Sequence, residues 1–223
     1  MNPAAPTRAT LDAHGAVVSI QIGRIAPLGS SGVPSGFVKL AVEGPIEVRT
    51  LGLAGDEQAD LTVHGGPDKA VYFYPSEHYD PWRRDVPRHA AALVPGAFGE
   101  NLTTLGFAES TIAIGDVLEI GSSVMQVTQP RQPCFKLGLR FADNTLGRTM
   151  LRTGRTGWYA RVLQNGVIHA HDGIRIVRRP SPEWTITRFN EFLVRRSASS
   201  TDLNELVDLE GLAGGWREYF LRA

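Results

Sequence analysis

VLEIGSSVMQVTQPRQPCFKLGL (117–139) is the stretch whose reading decides the fold. Its first half holds two short apolar runs, Val117 to Ile120 and Val124 to Thr128, on either side of Gly121-Ser122-Ser123. Both contain β-branched residues and meet at a turn, so each reads as a strand. The second half changes character. Pro130 and Pro133 fix their own φ and lack N–H donors. The chain there is stiff and cannot stay in an interior ladder throughout. A strand pair thus runs out into a rigid segment that carries Arg131, Cys134 and Lys136.

Working outward, the same kind of run recurs. Ala16 to Ile22 (AVVSIQI), Pro45 to Thr50, Ala70 to Tyr74 and Ile174 to Arg178 also read as strands. The 24 glycines and 14 prolines are scattered between them as punctuation. Many short strands with frequent turns predict a mainly β fold, a closed or nearly closed β-barrel. No βαβ repeat and no glycine fingerprint appear, which argues against a Rossmann domain. Short helices are expected at 76–84, with Ser76 as N-cap, and at 145–152.

The pattern changes at Pro180. Three helical segments follow: 187–196, 202–209 (Asp202 and Glu205 spaced as a capping box) and 216–221. The expected organisation is a flexible N-terminus (1–15), a β-barrel domain (16–179) and a C-terminal three-helix module (180–223). So small a module needs to dock on the barrel or on a second copy, which leaves a homodimer open.

Composition bounds the function. The chain has 223 residues, 42% hydrophobic and 21% charged, and a formal net charge of zero. That is ordinary for a globular protein, and the charge balance predicts no nucleic acid partner and no membrane surface partner. No run approaches the roughly 18 apolar residues of a membrane span, and the N-terminus does not read as a signal peptide. With one cysteine, an intrachain disulfide and a four-cysteine zinc site are both ruled out. A cytoplasmic, reducing location is expected.

Only three of the 23 basic residues are lysines: Lys39, Lys69 and Lys136. Codon bias explains scarcity, but residues that survive it stand where an ammonium serves better than a guanidinium. All three fall in segments that carry other chemistry. Around Cys134, Arg131 and Lys136 favour thiolate, which is both nucleophile and metal ligand. The bland alternative is a buried inert thiol. In GLAGDEQADLTVHGGPDKAVYFYP (52–75), Asp56, Asp60 and His64 are spaced by four, as metal ligands on a helix would be. Gly52, Gly55, Gly65 and Gly66 argue instead for loop, strand and a Gly-Gly turn, with Lys69 beside amides that an anion can approach. The alternative is a tight turn with a solvated Asp68-Lys69 pair. Ser35 and Lys39 share a loop suited to phosphate. Glu100 and Asn101 sit in a turn and there satisfy backbone amides or face a ligand. His169 and His171, two apart, would share a strand face as core or rim residues.

These segments together resemble the MOSC family and, within it, the YiiM-like branch. The matching pieces are Ser35-x-x-x-Lys39, GLAGDEQAD (52–60), HGGPDKAVYFYP (64–75), Tyr79-x-x-Trp82, FGENLT (98–103), IGD (114–116), QVTQPRQPCFKL (126–137) and GWYARVL (157–163). They run in the family's order, and the helical tail is similar to the module that closes this branch. One departure is Ala170-His171-Asp172-Gly173, where a Gly-Asp turn is usual.

The resemblance implies a MOSC-type β-barrel and a molybdenum-pterin cofactor (molybdopterin), with Cys134 as the metal ligand. Arg131, Lys39, Lys69, Ser35, Asn101 and His64 are the residues implied on the cofactor side, and Lys136 a catalytic neighbour of Cys134. It further implies a reductase of small N-hydroxylated substrates, either bases or amidoxime-like compounds. Electrons would come from a flavin or iron-sulfur reductase, because one cysteine cannot hold a cluster and no flavin or nicotinamide fingerprint appears. The competing reading is a sulfur carrier or molybdenum-cofactor binding protein that uses a Cys134 persulfide.

Overall fold

The computed structural model describes residues 14–60, 65–195 and 200–222. In chain order the strands and helices are β1 (His14–Ile22), β2 (Ala26–Leu28), β3 (Val33–Ser35), β4 (Leu40–Val42), β5 (Ile46–Arg49), β6 (Gly52–Leu53), β7 (Val71–Pro75), α1 (Tyr79–Asp85), β8 (Leu102–Leu105), β9 (Val117–Ile120), β10 (Ser123–Pro130), α2 (Phe135–Phe141), α3 (Leu146–Thr153), β11 (Trp158–Gln164), β12 (Gly166–Ile168), β13 (Gly173–Arg178), α4 (Ile186–Arg195), α5 (Ser200–Asp208) and α6 (Gly214–Leu221).

Seven strands close into a barrel in the order β13-β9-β10-β11-β7-β8-β1, and β1 pairs back onto β13. β4 lengthens the sheet beyond β1. The β7–β8 pair is parallel, and the other pairs of the ring are antiparallel. Alternate side chains fill the interior. Ile20, Phe73, Leu102, Leu118, Met125 and Trp158 are fully or almost fully buried. Each such side chain contributes about 1.5–3 kcal/mol of apolar burial.

The helical module shares this core. Trp184, Phe189, Leu206 and Phe220 belong to the same apolar cluster as the barrel interior. The module therefore docks on its own barrel. A second cluster, with Trp82, Phe98, Leu137, Phe141 and Met150, lies where α1, α2 and α3 cover the outside of β7. It backs the segment that leaves β10.

Several expectations change. β1 begins at His14, so the last two residues of the supposed flexible N-terminus are strand; residues 1–13 lie outside the described residues. Ser76 opens a single 3-10 turn, and its hydroxyl bonds Glu77 rather than capping a helix. α5 starts at Ser200, which places Asp202 inside the helix, where it pairs with Arg188. His169 and His171 lie in the turn between β12 and β13. His171 has φ +73°, a conformation that favours glycine, and its amide donates to Val17 O at 2.7 Å. The helix α2 was not expected at all.

Candidate functional site

Pairing of β10 with β11 ends at Pro130 opposite Trp158. The Arg131 amide makes one more bond, to Gly157 O at 3.2 Å. The chain then turns through Gln132 and Pro133, and Cys134 is the extended residue that precedes α2. This order follows from the sequence: two prolines end the ladder, and the apolar Leu137 and Phe141 pull the next turns onto the outer cluster. Cys134 is left half-buried at the edge of a cleft.

The cleft is small, with a volume of about 90 Å³. It brings together Ser35, Lys39, Lys69, Asn101, Arg131, Cys134 and Lys136, from loops far apart in sequence. His64 lies outside the described residues.

These residues differ in what they are free to do. Lys39 and Asp56 form a buried ion pair. Burial lowers the Lys39 pKa, and the Asp56 carboxylate partly counters it. Asp56 also accepts from Gly23 N at 2.8 Å and from Asn101 Nδ2 at 2.9 Å. Asn101 Oδ1 accepts from Tyr72 N at 3.1 Å. Ser35 Oγ accepts from Phe37 N at 3.1 Å. Lys39, Asn101 and Ser35 are thus already engaged in holding the cleft's walls. Asp56 is engaged too, which leaves little for the metal-ligand spacing considered with Asp60 and His64. Glu100 accepts from Gly96 N at 2.7 Å, Phe98 N at 3.1 Å and Thr103 Oγ1 at 3.0 Å, and from Tyr79 OH. It is the amide-satisfying residue of its turn.

Arg131 is different. It is 3% exposed and forms no ion pair with a carboxylate among the described residues. Its guanidinium lies 5.6 Å from the Tyr72 ring and 5.9 Å from the Phe37 ring, and Nη1 reaches Met150 Sδ at 3.1 Å. Burial opposes its charge, and Tyr72, Tyr159 and Cys134 support it, with a net upward shift. Arginine stays cationic under all ordinary conditions. A buried cation held by aromatic faces, with its N–H groups beside an open cleft, calls for an anion. Lys136 is 7% exposed and also lines the cleft. Lys69 is half-buried there, and burial lowers its pKa while Asp68 partly restores it.

Sequence reasoning missed the aromatic cradle. Tyr72 and Tyr159 approach with ring centroids 5.1 Å apart. In the sequence they read only as strand apolar residues; their phenolic groups gave no signal. The solvated Asp68 of the bland reading is also wrong. Its carboxylate bonds Arg161 Nε at 3.0 Å and Gly214 N at 2.8 Å.

No group of three or more metal-capable side chains occurs among the described residues. One thiol beside basic groups suits a metal that arrives with its other ligands already attached, as in a pterin-bound centre. The donor set is therefore of the kind that fits a molybdenum cofactor. Nor is any described helix long and apolar enough to cross a membrane.

Comparison with known proteins gives the family. Residues 60–175 match the MOSC domain, and residues 184–222 match the YiiM-like 3-alpha helix domain. The chain is 37% identical over 199 residues to Protein YiiM of Escherichia coli strain K12, covering 89% of this chain and 88% of that protein. It is 35% identical over 197 residues to a protein named Reductase from Gibberella moniliformis, covering 87% of this chain but 35% of that longer protein. The crystal structure of YiiM from Geobacillus stearothermophilus superposes with a TM-score of 0.79 at 31% identity, covering 93% of this chain and 98% of that one. With both the barrel and the helical tail matched, the chain belongs to the MOSC family, whose domain is associated with the molybdenum cofactor, and to its YiiM-like branch.

Proposed function

We propose that the protein is a molybdenum-cofactor-dependent reductase of small N-hydroxylated compounds, with Cys134 as the protein ligand of the metal. The observation that carries this reading is the buried Arg131 guanidinium, without a carboxylate partner among the described residues, in the same cleft as the half-buried thiol. The naming of a relative as a reductase supports the reaction class.

When bound, the cofactor supplies a two-electron centre that accepts oxygen. The chain's own residues do the rest. Cys134 gives a soft sulfur donor in the same cleft as the Arg131 guanidinium. Arg131 and Lys69 hold the phosphate end by charge-assisted hydrogen bonds. The Lys39–Asp56–Asn101 network fixes the wall that faces them. Lys136 Nζ holds a proton at the cleft and donates it to the departing oxygen. The overall change is R–NHOH plus two electrons and two protons to R–NH2 plus water. The electrons come from a separate flavin or iron-sulfur reductase.

The test is metal analysis of protein purified from a host that makes the cofactor. Molybdenum and pterin near stoichiometry, lost in Cys134→Ala, with donor-dependent reduction of an N-hydroxylated base, is the expected result. Sulfane sulfur on Cys134 with no stoichiometric molybdenum would replace the reductase by a sulfur carrier.

A further inference from the structure

Charge is unevenly placed around Cys134. Residues 129–156 hold six basic side chains and one acidic one, Asp143, although the chain as a whole is neutral. Asp143 is 5% exposed, and its carboxylate is taken up by Arg88, His89 and Thr145. The β2–β3 hairpin with its flanks, residues 25–42, contains no acidic residue. It lies against α2: a Cβ at Gly29 would stand 3.5 Å from Leu139 O. Of the six basic residues, Arg131 and Lys136 line the cleft, and Arg155 pairs with Asp85. Arg140, Arg148 and Arg152 have no carboxylate partner among the described residues. Arg148 and Arg152 are exposed.

Apolar side chains stand out on the same surface. Phe135, the residue after Cys134, is 64% exposed, and Leu151 is 38% exposed. In α3, Leu146 and Met150 are buried in the outer cluster. That leaves Gly147, Arg148, Leu151 and Arg152 as one outward stripe at helical spacing. The stripe begins beside the thiol segment, because a Cβ at Gly147 would stand 3.6 Å from Pro133 Cβ. Either feature alone would be an ordinary surface. Together they make an apolar centre with a rim of one charge, the composition of a face that another protein covers. The rim's sign makes that protein acidic.

We propose that the α2–α3 face is the docking surface for an acidic electron-carrier domain, of the flavodoxin or ferredoxin type. Carboxylates of the carrier meet Arg148 and Arg152, and the edge that exposes its redox group meets Phe135. Electrons bound for a centre on Cys134 must cross the protein surface. Phe135 is one peptide step from that cysteine, a Cα–Cα distance of about 3.8 Å. The carrier is oxidised by one electron at each docking, so two dockings supply the two electrons that the reduction consumes. Contacts of this kind are small, below about 1,200 Å² in total, and charge steers the encounter. The inference rests on the reductase reading for its purpose, but its test reads binding and needs no turnover.

The measurement is an NMR titration of the isotope-labelled full chain at low salt with two probes, an oxidised flavodoxin and a plant-type ferredoxin, both acidic. At least one carrier is expected to shift or broaden the amides of Phe135, Arg148, Leu151 and Arg152. The effect should vanish in about 1 M salt, where the screening length is about 3 Å. Arg148→Glu combined with Arg152→Glu reverses two exposed charges, keeps the fold as circular dichroism verifies, and is expected to weaken binding about tenfold or more. Arg175→Glu on β13, across the barrel ring from β7, should change it by less than about twofold. The face is overturned if neither carrier moves these amides, or if the double reversal binds as the wild type does. It is also overturned if sedimentation shows the chain pairing with itself through this face, or if a short DNA duplex binds there more tightly than either carrier. A chain that retains molybdenum but docks neither carrier loses this face and keeps the reductase reading. A chain that docks a carrier here but retains no molybdenum loses the reductase reading and keeps the face.

Discussion

Asp68 ties Arg161 of the barrel to Gly214, the first residue of α6, through its two carboxylate oxygens. Around this link, Thr128 Oγ1 donates to Asp68 O at 2.6 Å, and Ala213 N donates to Thr128 O at 3.1 Å. The turn that holds Lys69 in the cleft and the start of α6 are therefore fastened to the same point on β10 and β11. A shift of the module would therefore reach the turn that carries Lys69 into the cleft.

Asp68→Asn tests that fastening. Asn keeps one acceptor but turns an N–H2 toward a donor, so one of the two links is lost. Both Asp68 and Arg161 are partly exposed, with side chains 34% and 24% accessible, so solvent screening reduces the effect. The expected loss is about 1 kcal/mol, or about 2–4 °C in Tm for a chain of this size. Hydrogen exchange at the Gly214 amide should accelerate, while exchange in β9 should not change. An unaltered melting point together with unaltered Gly214 exchange would show that the module is held by its apolar core alone.

The barrel was legible because its evidence is local. Val117–Ile120 and the run after it show their apolar alternation within a few residues, and Gly121 marks the turn between them. The helix α2 was not legible for a physical reason. It has seven residues with Gly138 in its middle, too short and too broken for a period to emerge. Gly138 is there because the helix is packed closely: a Cβ would meet Asn144 Oδ1 at 2.5 Å. At the site, the lysines stood out by their scarcity and Cys134 by its prolines. Their consequences were hidden, since the partner of Lys39 is 17 residues away and the cradle of Arg131 comes from Phe37, Tyr72 and Tyr159 on separate elements.

Lys69 gives the cleft a dependence on pH. Burial is the first cause that lowers its pKa, and the charge of Asp68 opposes that only in part. The ammonium is therefore lost at a lower pH than the roughly 10.4 of a free lysine. Between the folded and the unfolded pKa, the unfolded chain binds more protons, so this group makes folding stability rise as pH rises through that window. Anion binding goes the other way: pyrophosphate affinity falls as Lys69 deprotonates. Calorimetric titrations at a series of alkaline pH values should show that fall in the wild type, and Lys69→Arg should move it upward. Coincident pH profiles for the two proteins would remove Lys69 from anion binding.

Arg131→Met separates a charge kept for folding from a charge kept for a ligand. The desolvation penalty for a buried ion is several kcal/mol, and no carboxylate among the described residues offsets it here. Two ring contacts return about 0.5–2 kcal/mol each and Tyr159 adds a hydrogen bond, so the guanidinium is held close to balance in the folded state. Methionine fills similar space beside Met150 and the rings without carrying charge. Arg131→Met is thus expected to melt at the wild-type temperature or above it, and at the same time to lose pyrophosphate affinity by about tenfold or more, the worth of a charge-assisted contact. Arg131→Lys should fall between, since an ammonium keeps the charge but neither the planar fork nor the stacking. A structural arginine predicts the opposite pair of results: a methionine variant several degrees less stable, with pyrophosphate bound as before. An unchanged fold with an emptied site, from the same substitution, marks a residue kept for something that enters the cleft.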